Sequence, residues 1–159
     1  MEEKVISSKI IACQMNELTE EEQKLIELAK KATDNSYSPY SHFRVGAALR
    51  LDDGTEIIGA NQENAAFPVT LCAERTAIFA AQAQYPEHSV KQLAIAARNE
   101  DGFTPAPTAP CGSCRQVILE VENRYKQPIR LYLYGADVVY VIESIKDILP
   151  LLSKHDLYN

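Results

Sequence analysis

The 159-residue chain contains no run of about 18 apolar residues, the length needed to cross a bilayer. Its first 15 residues, MEEKVISSKIIACQM, carry acidic residues near the start and no apolar stretch of signal-peptide length. It also lacks a Lys/Arg cluster, since 16 basic residues face 22 acidic ones for a formal net charge of −6. Without a local basic stripe a polyanion would be repelled, so small or neutral substrates are favoured over nucleic acid, and no membrane partner is expected. The only adjacent basic pair, Lys30-Lys31, reads as the solvated last turn of a helix, where positive charge suits the dipole. Biased tracts and internal repeats are absent too, and with 46% hydrophobic and 24% charged residues nothing forbids a packed core. The length suits one domain over residues 1–159 and is short for two. A cytoplasmic location is the expectation. In that compartment thiols stay reduced, so the four cysteines are ligands, nucleophiles or core fillers rather than a disulfide framework.

Helical and strand patterns alternate along the chain. Val5-Ile6 and Ile10-Ile11 are apolar pairs among polar residues, compatible with an edge strand or an attached arm over residues 1–15. Thr19 as N-cap with Glu22 three residues on forms a capping box, and Leu25, Ile26, Ala29 and Ala32 follow at helical spacing, predicting a helix from Glu20 to Thr33. The loop DNSYSPYSHF leads into the apolar run Val45 to Leu49. Asp52-Asp53-Gly54 reads as a hairpin turn returning through Thr55 to Ala60. After NQENAAFPVT, the stretch Cys72 to Gln84 has the spacing of a mostly buried helix. Gln92 to Ala97 reads as a strand. Pro110 suits the entry to a helix that begins at Cys111 and turns Val117, Ile118 and Val121 to the core. Ile129 to Tyr134 and Val138 to Ile142 read as two more strands, and Ser144 as the cap of a last short helix closed by Pro150. Such interleaving predicts a three-layer α/β/α fold with helices on both faces of a five-stranded mixed sheet.

Pro110-Cys111-Gly112-Ser113-Cys114 places a CxxC at a predicted helix start. Residues three apart share a helix face, so both sulfurs can address one ion, and the helix N-terminus favours their thiolates. A CxxC alone is shared with redox pairs and core cysteines. Its companion is Cys72-Ala73-Glu74, at another helix start. Three protein ligands with an open fourth position describe a catalytic zinc, whereas a structural zinc closes all four. Cys13 is the alternative fourth ligand, but it lies outside the α/β unit beside Met15 and reads better as a half-buried free thiol. Positions two apart on a helix are rotated by about 200°, so Cys72 and Glu74 converge only if Cys72 is the cap. A carboxylate there can shuttle a proton from water to a ring nitrogen and a leaving amine, or merely complement a helix dipole.

CxE followed by PCxxC is close to the zinc-deaminase signature, with Cys in place of His. Together with SPYSHFRVGAAL, NQENAAF, LCAERTAIFAA and APCGSCRQVILE, it resembles the small homotetrameric cytidine deaminases of pyrimidine salvage, over roughly residues 20 to 152. The resemblance implies hydrolytic deamination of cytidine and deoxycytidine to uridine and deoxyuridine by a zinc-activated water. It implies one zinc per chain on Cys72, Cys111 and Cys114, with Glu74 as the proton shuttle. Asn61 and Glu63 match the residues that bind the ribose 3′-hydroxyl, and a carboxylate there would repel a nucleotide phosphate. Phe43 matches an aromatic contact to the pyrimidine, and Ala73 would offer its backbone N–H to the base carbonyl. Taken alone, Phe43 reads as core and Ala73 as a helix former. Three thiolates make the site electron-rich, and Arg75 matches a donor to their sulfurs, its alternative being a surface salt bridge; Gln116 is a further candidate contact.

The chain departs from the family near its end. Where members often carry a Phe that reaches a neighbouring subunit's site, this sequence reads Ile148-Leu149-Pro150-Leu151-Leu152-Ser153, leaving Leu152 or Tyr158 as replacements. Apolar residues such as Ile78, Phe79 and Leu119 fit either the core or a subunit interface. Two other readings compete: deamination of another aminopyrimidine or aminopurine, and a non-enzymatic structural zinc module that would give Glu74 no task.

Overall fold

The computed structural model describes residues 1–152. β1 (Ile11–Cys13) precedes α1 (Glu20–Ala32), and β2 (Arg44–Leu51) and β3 (Glu56–Ala60) form a hairpin. α2 (Ala73–Gln84), β4 (Val90–Asn99), β5 (Gly102–Phe103), α3 (Gly112–Tyr125), β6 (Arg130–Tyr134) and β7 (Val139–Ile142) follow. Among the described residues the strands make one mixed sheet of seven, ordered β1-β7-β6-β4-β2-β3, with β5 pairing β4. All pairings are antiparallel except β4 with β6. The five predicted strands are present; β1 and the two-residue β5 are the additions, too short to announce themselves by periodicity.

Topology explains where a site can form. β3 and β4 both pair antiparallel with β2 and therefore run parallel to one another, and β4 and β6 are parallel neighbours. Each parallel pair is joined by a crossover helix, α2 in the first case and α3 in the second. Two crossovers of one hand that advance in one direction across a sheet must lie on the same face. α2 and α3 accordingly share one hydrophobic cluster with Ala47, Leu49, Leu93, Ile95, Leu131 and Leu133. Their N-termini both follow carboxyl ends of parallel strands, the usual location of sites in α/β sheets.

α1 covers the opposite face, setting Leu25, Ile26 and Ala29 against Ala48, Ala94, Ala96 and Tyr132. Its capping box forms as expected, with Thr19 Oγ1 accepting from the Glu22 N–H and Glu22 accepting from the Thr19 N–H, a motif worth about 1 kcal/mol. Two glycines allow the helices to approach. A β-carbon on Gly46 would stand 2.6 Å from the Thr33 nitrogen beyond α1, and one on Gly59 would stand 2.5 Å from the Ala73 carbonyl oxygen of α2.

Several local expectations are corrected. The ambiguous N-terminal segment contains an edge strand, β1, paired antiparallel with β7, so Cys13 belongs to the sheet and its thiol is buried in the α1-side cluster. Lys30 is not simply solvated, because Nζ lies 5.2 Å from the Phe103 ring centre and 4.6 Å from that of Tyr134. The last helix is a single 3-10 turn, Ile145–Asp147, capped by the Ser144 hydroxyl. Ile78 and Leu119 are core, whereas Phe79 is 44% exposed. Among the described residues no helix is long and apolar enough to cross a membrane.

Candidate metal centre and active site

Cys72 and Cys111 are the N-caps of α2 and α3, both extended, with φ/ψ of −70°/155° and −64°/168°. The cap geometry turns each thiol away from its helix axis, and Cys114, one turn into α3, faces them. The three sulfurs lie within 4.8 Å of one another, the Cys72 and Cys111 sulfurs 3.8 Å apart. Cys114 is fully buried, Cys72 half-buried and Cys111 exposed, so the cluster opens on one side. Cys13 is not in this cluster.

The electrostatics prepare Cys72 as an anion. Its pKa falls to about 5, first because the Cys114 thiol hydrogen-bonds to it, then because Arg75 and Cys111 do, all against burial. The same hydrogen bond, burial and the Glu74 carboxylate push Cys114 up. Arg75 Nη2 donates to the Cys72 sulfur at 3.4 Å, and the thiolate raises the guanidinium pKa. Arg75 Nε, on that same group, is buried without a hydrogen-bond partner among the described residues. A soft trio of sulfurs, one poised as thiolate and with a guanidinium behind Cys72 and Cys114, fits a zinc ion of the structural or catalytic type and suits hard cations poorly.

Glu74 is 4% exposed on the first turn of α2, and burial raises its carboxyl pKa, with the Cys72 charge adding to the rise. Cys72 is the cap of α2 and Glu74 sits in its first turn, with the Glu74 carboxyl within hydrogen-bonding reach of the Cys114 thiol.

Chain positions 19–126 match the family described as "Cytidine and deoxycytidylate deaminase zinc-binding region". The chain belongs to the cytidine deaminase family. A cytidine deaminase of Sporosarcina psychrophila is 43% identical over 136 residues, which cover 85% of this chain and 93% of that protein. One from Halalkalibacterium halodurans is 48% identical over 99 residues, 62% of this chain and 70% of the relative. The crystal structure of cytidine deaminase from Burkholderia pseudomallei superposes with a TM-score of 0.70 at 37% identity, covering 86% of this chain and all of that one. The family is zinc-binding, and the three-cysteine cluster fits one zinc ion.

Asn61, Glu63 and Phe43, the sugar and base contacts that the sequence resemblance implies, lie in a second region, where the loop between α1 and β2 rests on the segment after β3. Asn61 is buried and engaged at both ends: its Oδ1 accepts from the Ser36 hydroxyl and from the Val45 N–H at 2.9 Å, and one N–H of its Nδ2 donates to the Phe43 carbonyl at 2.9 Å. Glu63 accepts from the Tyr40 and Ser41 N–H groups at 3.0 and 3.2 Å and from the Ser41 hydroxyl, which holds its carboxyl below the usual range. Phe43 is half-buried, set between these anchors and β2. A depression of about 400 Å³ beside Glu63 is lined by Tyr40, Ser41, Asn64, Phe67 and Thr70. A larger one of about 580 Å³, among Arg44, Arg98 and Glu100 behind the loop, lies away from the cysteines.

Two expectations are not met by contacts. Gln116 is exposed on α3 and makes no side-chain hydrogen bond among the described residues. Leu152 packs on this chain's own core with Leu149, while Ser153 and Tyr158 lie outside the described residues. Three residues emerge that spacing did not single out: Ser36 and Ser41, which pin Asn61 and Glu63, and Arg115, which binds the backbone before Cys111. The serines were visible as turn formers in SYSPYS, but their partners lie more than 20 residues away.

Proposed function

We propose that this chain hydrolytically deaminates cytidine and deoxycytidine to uridine and deoxyuridine in pyrimidine salvage. The observation that carries the reading is a buried Glu74 with a raised carboxyl pKa beside three converging thiols, a proton carrier next to a metal cradle. Cys72, Cys111 and Cys114 would hold the zinc. When bound, zinc supplies Lewis acidity that makes a water nucleophilic near neutral pH. Burial raises the Glu74 carboxyl pKa, which suits it to carry in turn the two protons that water gives up, the first to the ring nitrogen and the second to the departing amine, which leaves as ammonia. Ala73, the first residue of α2, has a backbone N–H of the kind left unpaired at a helix start, suited to the base carbonyl.

Phe43 would pack against the pyrimidine, and Asn61 and Glu63, held in the loop by their own hydrogen bonds, would take the ribose 3′-hydroxyl. The Glu63 carboxyl, held ionised by Ser41, disfavours a phosphate on the sugar, so nucleosides are preferred over nucleotides. Arg75 offsets the excess negative charge of three thiolates. Gln116 supports the site only if substrate or zinc reorders it. Homotetramer assembly is supported by exposed apolar side chains beside the site, Phe67 at 74%, Val69 at 62% and Tyr40 at 53%. The catalytic core spans residues 20–152 of a single domain 1–159, and the location is cytoplasmic.

An ultraviolet assay with cytidine, deoxycytidine, cytosine and CMP, run before and after chelation, tests this reading. Both nucleosides should be turned over, cytosine and CMP poorly, and chelation should abolish turnover. Activity that survives complete zinc removal would overturn it.

A further inference from the structure

Resting on the zinc reading, we infer that Arg115 is a positioning residue that fixes the exposed ligand Cys111. The three sulfurs are not held equally. Cys114 is inside α3 and fully buried, and the Cys72 sulfur receives the Arg75 guanidinium. Cys111 is exposed, and the contact of its sulfur is with Cys72 alone among the described hydrogen bonds. Its position therefore depends on its backbone, at the junction of a proline-containing loop and a helix.

Arg115 holds both peptides that flank that residue. Its backbone N–H donates to the Cys111 carbonyl at 2.9 Å, and its side-chain Nε donates to the Pro110 carbonyl, also at 2.9 Å. With the carbonyls before and after the Cys111 Cα held by one residue, the φ and ψ of the cap are set, and with them the direction of the thiol. The guanidinium has a second bond: Nη1 donates to the Ile148 carbonyl at 2.7 Å. The segment after β7 thus serves as a brace for the arginine. That segment is anchored independently by Glu122, two turns along α3, which accepts from the Ser144 hydroxyl and the Ile145 N–H at 2.7 and 2.9 Å.

The forked, planar donor set of arginine is what the arrangement uses. Two carbonyls in different segments are engaged by different nitrogens, and a lysine ammonium would restore at most one bond in that direction. The expected consequence is a slower loss of zinc, because an ordered ligand recaptures the ion faster than a wandering one, and outer contacts of this type change metal affinity by about 10- to 100-fold.

The test uses the purified zinc-loaded full-length protein and follows zinc transfer to a colorimetric chelator, together with the cobalt(II)–thiolate absorption of cobalt-loaded samples. Arg115→Ala should release zinc roughly 10 to 100 times faster than the unmodified chain and show a weakened or shifted thiolate band; Arg115→Lys, the variant to rely on if the alanine variant does not fold, should fall between. Tyr132→Phe removes the hydroxyl bond to Glu22 on the α1 side of the sheet, away from Cys111 and from the 144–148 brace, and should lower the thermal midpoint while leaving zinc release unchanged. Wild-type release rates in both arginine variants would overturn the inference. So would equal acceleration by Tyr132→Phe at a matched loss of midpoint, which would make Arg115 a fold-stabilising residue only. A wild-type chain that takes up no zinc overturns this inference and the proposed activity together, whereas normal uptake without deamination overturns the activity alone.

Discussion

Asn61→Ala should damage both the fold of the loop and the recognition of the sugar. The side chain makes three hydrogen bonds, to Ser36, Phe43 and Val45, inside a buried site. At about 1 kcal/mol for each neutral bond, the loss amounts to about 3 kcal/mol. In a chain of this size that lowers the thermal midpoint by roughly 6 to 12 °C. Asn61→Asp keeps an acceptor for Ser36 and Val45 but turns a carboxylate oxygen toward the buried Phe43 carbonyl, so its loss should be at least about 1 to 3 kcal/mol. The assay is thermal unfolding at matched zinc occupancy, paired with KM for cytidine and for cytosine. Because the loop also carries Phe43, the alanine variant should raise KM for cytidine strongly and impair cytosine modestly. Midpoints within about 2 °C of the parent for both variants would refute the anchoring argument, since a surface substitution, worth at most about 0.5 kcal/mol, does no more than that. Equal losses for nucleoside and base would refute the sugar assignment.

Glu122→Ala removes a buried acceptor shared by the Ile129 and Ile145 N–H groups and the Ser144 hydroxyl, and should cost about 3 to 5 kcal/mol by urea denaturation; a cost under about 1 kcal/mol would contradict the bonding described. Gly59→Ala would drive a β-carbon to 2.5 Å from the Ala73 carbonyl and 2.6 Å from the Ala77 nitrogen, displacing the start of α2, so zinc affinity and the midpoint should fall together; unchanged zinc affinity would show that β3 yields instead. The His88–Asp52 pair gives a pH dependence. Asp52 raises the His88 pKa through a hydrogen bond at 2.6 Å, with Asp53 and Glu87 adding to the rise, and His88 in turn lowers that of Asp52. The His88 contribution is full below its unfolded pKa of about 6.5 and is lost as pH rises through the higher folded value, while the Asp52 contribution is lost as pH falls below about 4. The midpoint deficit of His88→Gln should therefore be largest near pH 5 to 6 and shrink above pH 8; a deficit independent of pH would contradict the pairing.

Much of the fold was legible because its signals are local. Thr19 and Glu22 announced α1 three residues apart, Asp52-Asp53-Gly54 the β2–β3 hairpin, and the interleaved periods of two and 3.6 the layered architecture. The three-cysteine cluster was legible for the same reason, since each motif sits at a helix cap whose geometry follows from short-range preference. What escaped depends on pairing across long separations. β1 is three residues whose strand character comes from β7, more than 120 positions later, so Cys13 seemed to lie outside the sheet. Lys30 carried the composition of a solvated turn, yet Phe103 and Tyr134 enclose it. Asn61 and Glu63 were assigned to a ligand from their motif alone, whereas Ser36, Ser41 and the Phe43 backbone engage them within the folded chain. Arg115 was passed over because backbone carbonyls leave no trace in residue identity.

The central claim is that Glu74 carries the proton. Glu74→Gln keeps the shape of a side chain that is 4% exposed and removes only its ability to hold and release that proton. The decisive measurement is kcat for cytidine in the purified variant, with its zinc content and circular dichroism matched to the parent. The account predicts a fall of at least about 100-fold, the usual scale of a general acid–base group. A folded, zinc-replete variant that deaminates cytidine at the parent rate would contradict it.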